Sequence, residues 1–233
     1  MAMRPLSQRG NHSHHPEVFG RSVLNHALEV WMPEGKARIL VVAGQHGEEP
    51  ETTVVLSRAL RALSHRSPDC AILLNANPDG IMRGTRGNAR GVDLNRNFPA
   101  SDWVRDQTDY RWHLDAPDDR VLLGTGDKPG SEPETQHLIS LVGDLRPELI
   151  ITLHGSLACI DDPRLSKQGK ILSDRSGLKL TSHIGYPTPG SFGTWAIEND
   201  YHLITFELPG QSIEELSRNF TPLFEEILAG GLL

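Results

Sequence analysis

Apolar positions along the chain fall into two rhythms. Short unbroken runs occur in ARILVVAG (37–44), CAILLNANPDG (70–80), ELIITLHG (148–155) and HLITFELPG (202–210). Each closes on a glycine or a turn, Asn77-Pro78-Asp79-Gly80 in the second case, as strands buried on both faces do. Helical spacing instead governs PETTVVLSRALRAL (50–63), where Pro50 suits a first turn. It recurs in SIEELSRNFTPLFEEILAG (212–230), an amphipathic closing helix with Pro222 as a kink point. SEPETQHLISLV (131–142) predicts a third helix, with Ser131 as N-cap and Glu134 completing a capping box. RLSKQGKILSDRSG (164–177) reads as helix and turn. Residues 83–128 are polar and glycine-rich without sustained period, which predicts a long functional loop region with one short helix around Trp103–Tyr110.

Strand and helix patterns alternate, so the expected fold is an α/β sheet covered by helices on both faces. No repeat or low-complexity linker divides it, and one domain over 1–233 is expected, with 1–20 as a flexible polar arm carrying His12, His14 and His15.

Composition narrows the function classes. The apolar share of 37% and charged share of 23% are ordinary for a soluble domain, and no apolar run is long enough to span a membrane. A net charge of −7 without a Lys/Arg block disfavours nucleic acid as a partner. The N-terminus has no apolar core of a secretory signal, and the two cysteines, Cys70 and Cys159, form no CxxC. Packed thiols in a reducing compartment, the cytoplasm, are expected. A homodimer is left open.

The chemistry gathers where strands end, which is where ligands bind in open α/β sheets. His46 follows the first run, His154 closes the third and Glu207 closes the fourth. In VVAGQHGEEPETT (41–53), His46 and Glu49 can reach one ion, with Glu48 the rival carboxylate and His154 a third ligand. Glu207 would then be free to act as general base. Cys159 invites a nucleophile reading, but SLACI offers it no activating base.

NPDGIMRGTRGNARGVDLNRNFP (77–99) adds further motifs in order: Arg86, then Asp93-Leu94-Asn95-Arg96-Asn97. Together with His46-x-x-Glu49, His154 and TFELPG, the chain resembles the zinc carboxypeptidase family from about residue 38 to 210. The resemblance implies a mixed twisted sheet with helices on both faces and one zinc ion held by His46, Glu49 and His154. It implies that Arg86 stabilises the oxyanion, that Asn95 and Arg96 grip the substrate's terminal carboxylate, and that Glu207 is general base on a metal-activated water. Tyr186 stands near the family's mobile tyrosine, shifted by one residue.

GVDLNRNFPA, LLGTGDKPGSEPETQ, LACIDDPR and GYPTPGSFGTW are similar to a bacterial subgroup, the murein peptide amidases. That likeness implies hydrolysis of the γ-D-Glu–meso-diaminopimelate bond of murein tripeptide in cell-wall peptide recycling. The diaminopimelate side chain ends in an amino-carboxylate, and Asp161 and Asp162 are the expected partners of its amine. A zinc-dependent deacylase of acyl-amino acids is the enzymatic alternative. A non-catalytic muropeptide- or zinc-binding protein is the other.

Overall fold

The computed structural model describes residues 4–111 and 120–232. Antiparallel β1 (Glu17–Arg21) and β2 (Ala27–Val30) lead into β3 (Ile39–Val42), α1 (Pro50–Ala62), β4 (Cys70–Leu73) and the single turn α2 (Pro78–Ile81). A hairpin of β5 (Gln107–Arg111) and β6 (Arg120–Gly124) precedes α3 (Pro133–Leu145) and β7 (Leu149–Asp161). The chain ends with α4 (Lys167–Ser176), β8 (Lys179–Thr181), α5 (Phe192–Glu198), β9 (Leu203–Pro209) and α6 (Ile213–Leu228).

β3 pairs in parallel with β4 on one side and β7 on the other. Its side chains alternate between two cores, as strand geometry requires. Ile39 and Val41 pack with Leu56 and Leu60 of α1 and Phe220 and Phe224 of α6. Leu40 and Val42 pack with Leu138 and Val142 of α3 and Phe192 and Trp195 of α5. Both faces are covered, which is why the strand reads as an unbroken apolar run.

The end of the sheet that forms the site is less regular. Ile150 to Ser156 of β7 pair in ascending order with Leu203 to Pro209 of β9. The register then shifts and the order reverses, Cys159 meeting Glu207, Ile160 meeting Phe206 and Asp161 meeting Thr205. Ala158, at φ 55°, lies in this reversal. β7 therefore flanks β9 on both sides, and β8 pairs with its returning half. The pairing sets up two rows across the strands. One contains His154, Glu207 and Cys159; the next contains Thr152, Thr205 and Asp161.

Four local expectations change. The helix expected around 103–110 does not form: its second half pairs with β6 as part of strand β5. α3 begins without the Ser131/Glu134 capping box: Glu132 is its N-cap residue and makes no side-chain cap. Glu134 instead accepts from the Val23 amide and from Asn88. The capping box belongs to α6, between Ser212 and Glu215, and that helix continues past Pro222 because its apolar face is packed along its length. Residues expected as a free arm lie against the body: Arg9 pairs with Glu225 at 2.9 Å, and the His12 ring sits 5.0 Å from that of Trp31. No helix among the described residues is long and apolar enough to cross a membrane.

Candidate metal centre

His46 and Glu49 lie in the turn between β3 and α1. A Cβ at Gly47 would collide with the backbone of Gly80 in α2, so this turn tolerates only glycine there. His154 comes from β7 and Glu207 from β9, cross-strand neighbours in the first row. His46, Glu49, His154 and Glu207 are 2%, 5%, 4% and 7% exposed, too little for solvent to satisfy four polar groups.

The donor atoms converge. His46 Nδ1 lies 2.9 Å from Glu49 Oε1, and His154 Nδ1 lies 3.1 Å from His46 Nδ1 and 3.2 Å from Glu49 Oε2. One donor atom from each of the three residues falls within 4.8 Å of the others. Two imidazole nitrogens and a carboxylate aimed at one buried point fit a single zinc ion, whose catalytic sites take three such ligands.

Asp93 supports this set. His46 Nε2–H donates to Asp93 Oδ1 at 3.1 Å, which leaves Nδ1 as the lone-pair side facing the other donors. Arg86 Nε and the Asn95 amide also donate to Asp93, at 3.0 and 2.8 Å. Burial works against its charge, but Arg86 and then His46 outweigh it and hold the carboxyl well below the ordinary range. Sequence reasoning gave Asp93 no role, although it opens the DLNRN motif that supplied Asn95 and Arg96. Asp93→Asn is expected to weaken zinc affinity about 10–100-fold, as loss of such a support does; competition against a chelator of known affinity measures it.

Arg86 reaches the centre from outside, its Nη1 donating to Glu48 Oε1 at 3.1 Å and Glu49 Oε1 at 3.2 Å. Glu48 is therefore turned to Arg86, while Glu49 faces the histidines. Burial pushes Glu49 up, but His46 and His154 overrule it and hold it far down. Glu207 has no such partners. Burial and the nearby Glu49 push it up to about 8, and its Oε2 has no hydrogen-bond partner among the described residues. Cys159 is driven by burial and then Glu207 up to about 11, so it stays a thiol and not a nucleophile.

A cavity of about 190 Å³ opens beside this centre, lined by Asn95, His154, Asp161, Tyr186 and Glu207 among others. Asn95 Oδ1 accepts from the Phe192 amide at 2.9 Å, leaving its Nδ2–H groups as donors. Arg96 does not line the cavity; it donates to the Asn95 carbonyl at 2.7 Å, and its charge is felt at Tyr186 and Asp93. Tyr186 is 51% exposed at the cavity wall, and burial, then Glu207, raise its hydroxyl, which stays protonated as a donor.

Asp162 is not brought to the cavity. It accepts from Arg164 N, Ser166 N, Ser166 Oγ and His202 Nε2, and so fastens the turn before α4. Despite the cost of burial, His202 and Ser166 hold its carboxyl down at about 2, against an ordinary 3.8. Its stabilisation is complete above the ordinary aspartate range and fades as pH falls from there through about 2. Asp162→Ala is expected to cost about 3 kcal/mol, because four part-buried donors lose their buried acceptor. Urea unfolding at pH 7 and pH 3 checks this, with a smaller difference between the two proteins at pH 3.

A buried His/Glu/His donor set beside a carboxylate, at the strand ends of a mixed sheet, defines a single-zinc hydrolase of carboxypeptidase type. Residues 3–161 match the family described as Zinc carboxypeptidase, and the chain belongs to that family. It is 44% identical over 220 residues to murein peptide amidase A of Escherichia coli (strain K12), covering 93% of this chain and 90% of that one. It is 40% identical over 212 residues to murein peptide amidase A of Vibrio campbellii, covering 90% and 85%. The crystal structure of murein-tripeptide amidase MpaA from Escherichia coli O157 superposes with a TM-score of 0.92 at 42% identity, covering 98% of each chain.

Proposed function

We propose that this chain is a zinc-dependent amidase that hydrolyses the γ-D-glutamyl–meso-diaminopimelate bond of murein tripeptide, as one catalytic domain over 1–233, in cytoplasmic recycling of cell-wall peptides. The observation that carries the reading is Glu207, a buried carboxylate whose Oε2 has no hydrogen-bond partner among the described residues, held one strand away from a His46/Glu49/His154 donor set. The similarity to murein peptide amidases over nine-tenths of the chain supports the substrate class.

Zinc, when bound by His46, Glu49 and His154, supplies a Lewis acid that acidifies water and polarises the scissile carbonyl. The chain's own residues do the rest. Asn95 donates to the α-carboxylate of diaminopimelate, the C-terminal residue, and Arg96, bonded to the Asn95 carbonyl, supplies the positive charge behind it. Glu207 takes the proton of the attacking water and returns it to the leaving amine. Arg86 donates to the oxygen on which negative charge develops. Tyr186 closes over the substrate from the cavity wall and donates a hydrogen bond.

The deacylase alternative fits less well. The relatives that match nine-tenths of the chain are murein peptide amidases. The partner is a small peptide, and the net charge of −7 offers nothing to a nucleic acid.

The test is diaminopimelate release from L-Ala-γ-D-Glu-meso-diaminopimelate, with zinc, after chelation and after zinc is restored. Release that follows the metal is expected. Zinc bound without release would overturn the substrate assignment and redirect the search to acyl-amino acids.

A further inference from the structure

A second cavity, of about 850 Å³, lies between α1, α6 and the N-terminal segment. It is remote from the metal centre. Glu49 precedes α1, whereas Arg61, on the cavity wall, belongs to the last turn of that helix, about 18 Å further along its axis. Its volume falls within the roughly 300–1,000 Å³ of small-molecule sites. Nothing in the amidase chemistry uses it.

One wall is a stripe of α6. Glu214, Ser217, Arg218, Thr221 and Glu225 recur at helical spacing, while Leu216, Phe220 and Phe224 turn the other way into the core. Ser217 and Thr221 are 5% and 7% exposed, and their hydroxyl oxygens are buried without a hydrogen-bond partner among the described residues. Buried hydroxyls in folded proteins are normally satisfied, so this pair marks a wall built for something else to complete. Arg58 and Arg61 of α1 face the cavity from a common side of their helix, three residues apart.

The charges on these walls do not cancel. Glu225 is taken by Arg9 at 2.9 Å, which leaves Glu214 alone among Arg58, Arg61 and Arg218. Arg58 and Arg218 are exposed and make no hydrogen bond or ion pair among the described residues. Arg61 donates only its Nε, to the Ser57 carbonyl at 3.3 Å, so its terminal nitrogens are unspent. Its own carbonyl accepts from Arg4 Nη2 at 2.6 Å, which ties the N-terminal segment beside the cavity. In a chain of net charge −7, this is a local concentration of guanidinium groups.

We infer that this cavity binds a small organic phosphate. Arg58, Arg61 and Arg218 supply forked donors, and Ser217 and Thr221 supply hydroxyl donors. A phosphate monoester offers three charged acceptor oxygens to such a set, one more than a carboxylate. Leu6, 81% exposed at the rim, and Pro222 give the organic body an apolar surface to rest on.

The experiment titrates phenyl phosphate and inorganic phosphate into the zinc-loaded protein by calorimetry, at an ionic strength held constant with chloride. Arg58→Ala, Arg218→Ala and Thr221→Val are compared with the unaltered chain. Arg58 and Arg218 are exposed helix positions where alanine is the best helix former, so folding is preserved, and an unchanged zinc content checks it. Saturable binding of phenyl phosphate is expected, tighter than that of inorganic phosphate. Each arginine variant is expected to weaken it by about 10–100-fold, the worth of a hydrogen bond to a charged group, and Thr221→Val by about fivefold. Unchanged affinity in the arginine variants would place the anion at the metal centre and overturn the proposal. Absence of saturable binding to the unaltered chain overturns it as well. Equal affinity for the two phosphates overturns the organic ligand and leaves a bare anion site.

Discussion

Glu207→Gln is expected to bind zinc as the parent does and to lose turnover by roughly a thousandfold or more, the upper part of the range for a positioned general base. The expectation rests on placement. Glu207 stands outside the donor set that His46, Glu49 and His154 complete, yet it is the cross-strand neighbour of His154 and lines the same cavity. The amide is nearly isosteric, so the cavity and the sheet pairing survive, but it accepts no proton at a useful pH. Two measurements separate the roles: metal content after gel filtration, and single-turnover release of diaminopimelate. Zinc lost together with activity would make Glu207 a ligand. Activity retained with zinc bound would remove it from the chemistry.

Glu49→Ala is expected to lose the metal itself, and with it all measurable activity, while Glu48→Ala keeps both. The two carboxylates are adjacent in sequence and both almost buried, yet they face different partners. Glu49 lies within 3.2 Å of both imidazoles, whereas Glu48 is held by Arg86. A zinc site reduced from three protein ligands to two imidazoles loses the charge that offset the metal's own, and Glu48 cannot replace it without breaking its ion pair. Zinc titration of the two variants decides the matter. Equal affinity in both would place the carboxylate ligand elsewhere.

Much of the sheet was legible because its strands are buried on both faces. Ile39–Val42 and Cys70–Leu73 carry no polar residue to blur the pattern. The zinc donors were legible for a different reason, since an imidazole or carboxylate at the end of such a strand has no place in the core. The fold-back of β7 was not legible. Leu149–His154 signals a strand plainly, but Ser156–Asp161 mixes polar and apolar residues and gains its pairing from β8 and from β9, the latter some fifty residues later. Asp93 was hidden for a similar reason: its value lies in the orientation of His46, 47 residues earlier, which spacing alone does not encode. The Ser131/Glu134 and Ser212/Glu215 pairs show the limit of short motifs. Both have capping-box spacing, but Asn88 and Val23 claim Glu134, and only the second box forms.

The doubling of β7 around β9 also bears on how the molecule opens. Amides of a strand paired on both edges exchange with solvent only when the neighbouring strands separate, an event close to global unfolding. Over Thr205–Glu207, β9 is in that position, and Phe206 packs against Phe220 and Phe224 of α6. Its protons are expected to be among the last to exchange with deuterium. Residues 182–187, which carry Tyr186, belong to no strand, and the Gly185 amide bonds only to His183 two residues before it, so their protons exchange early. Proton transfer is thereby assigned to the slowest-exchanging part of the chain, and closure over the substrate by Tyr186 to one of the fastest.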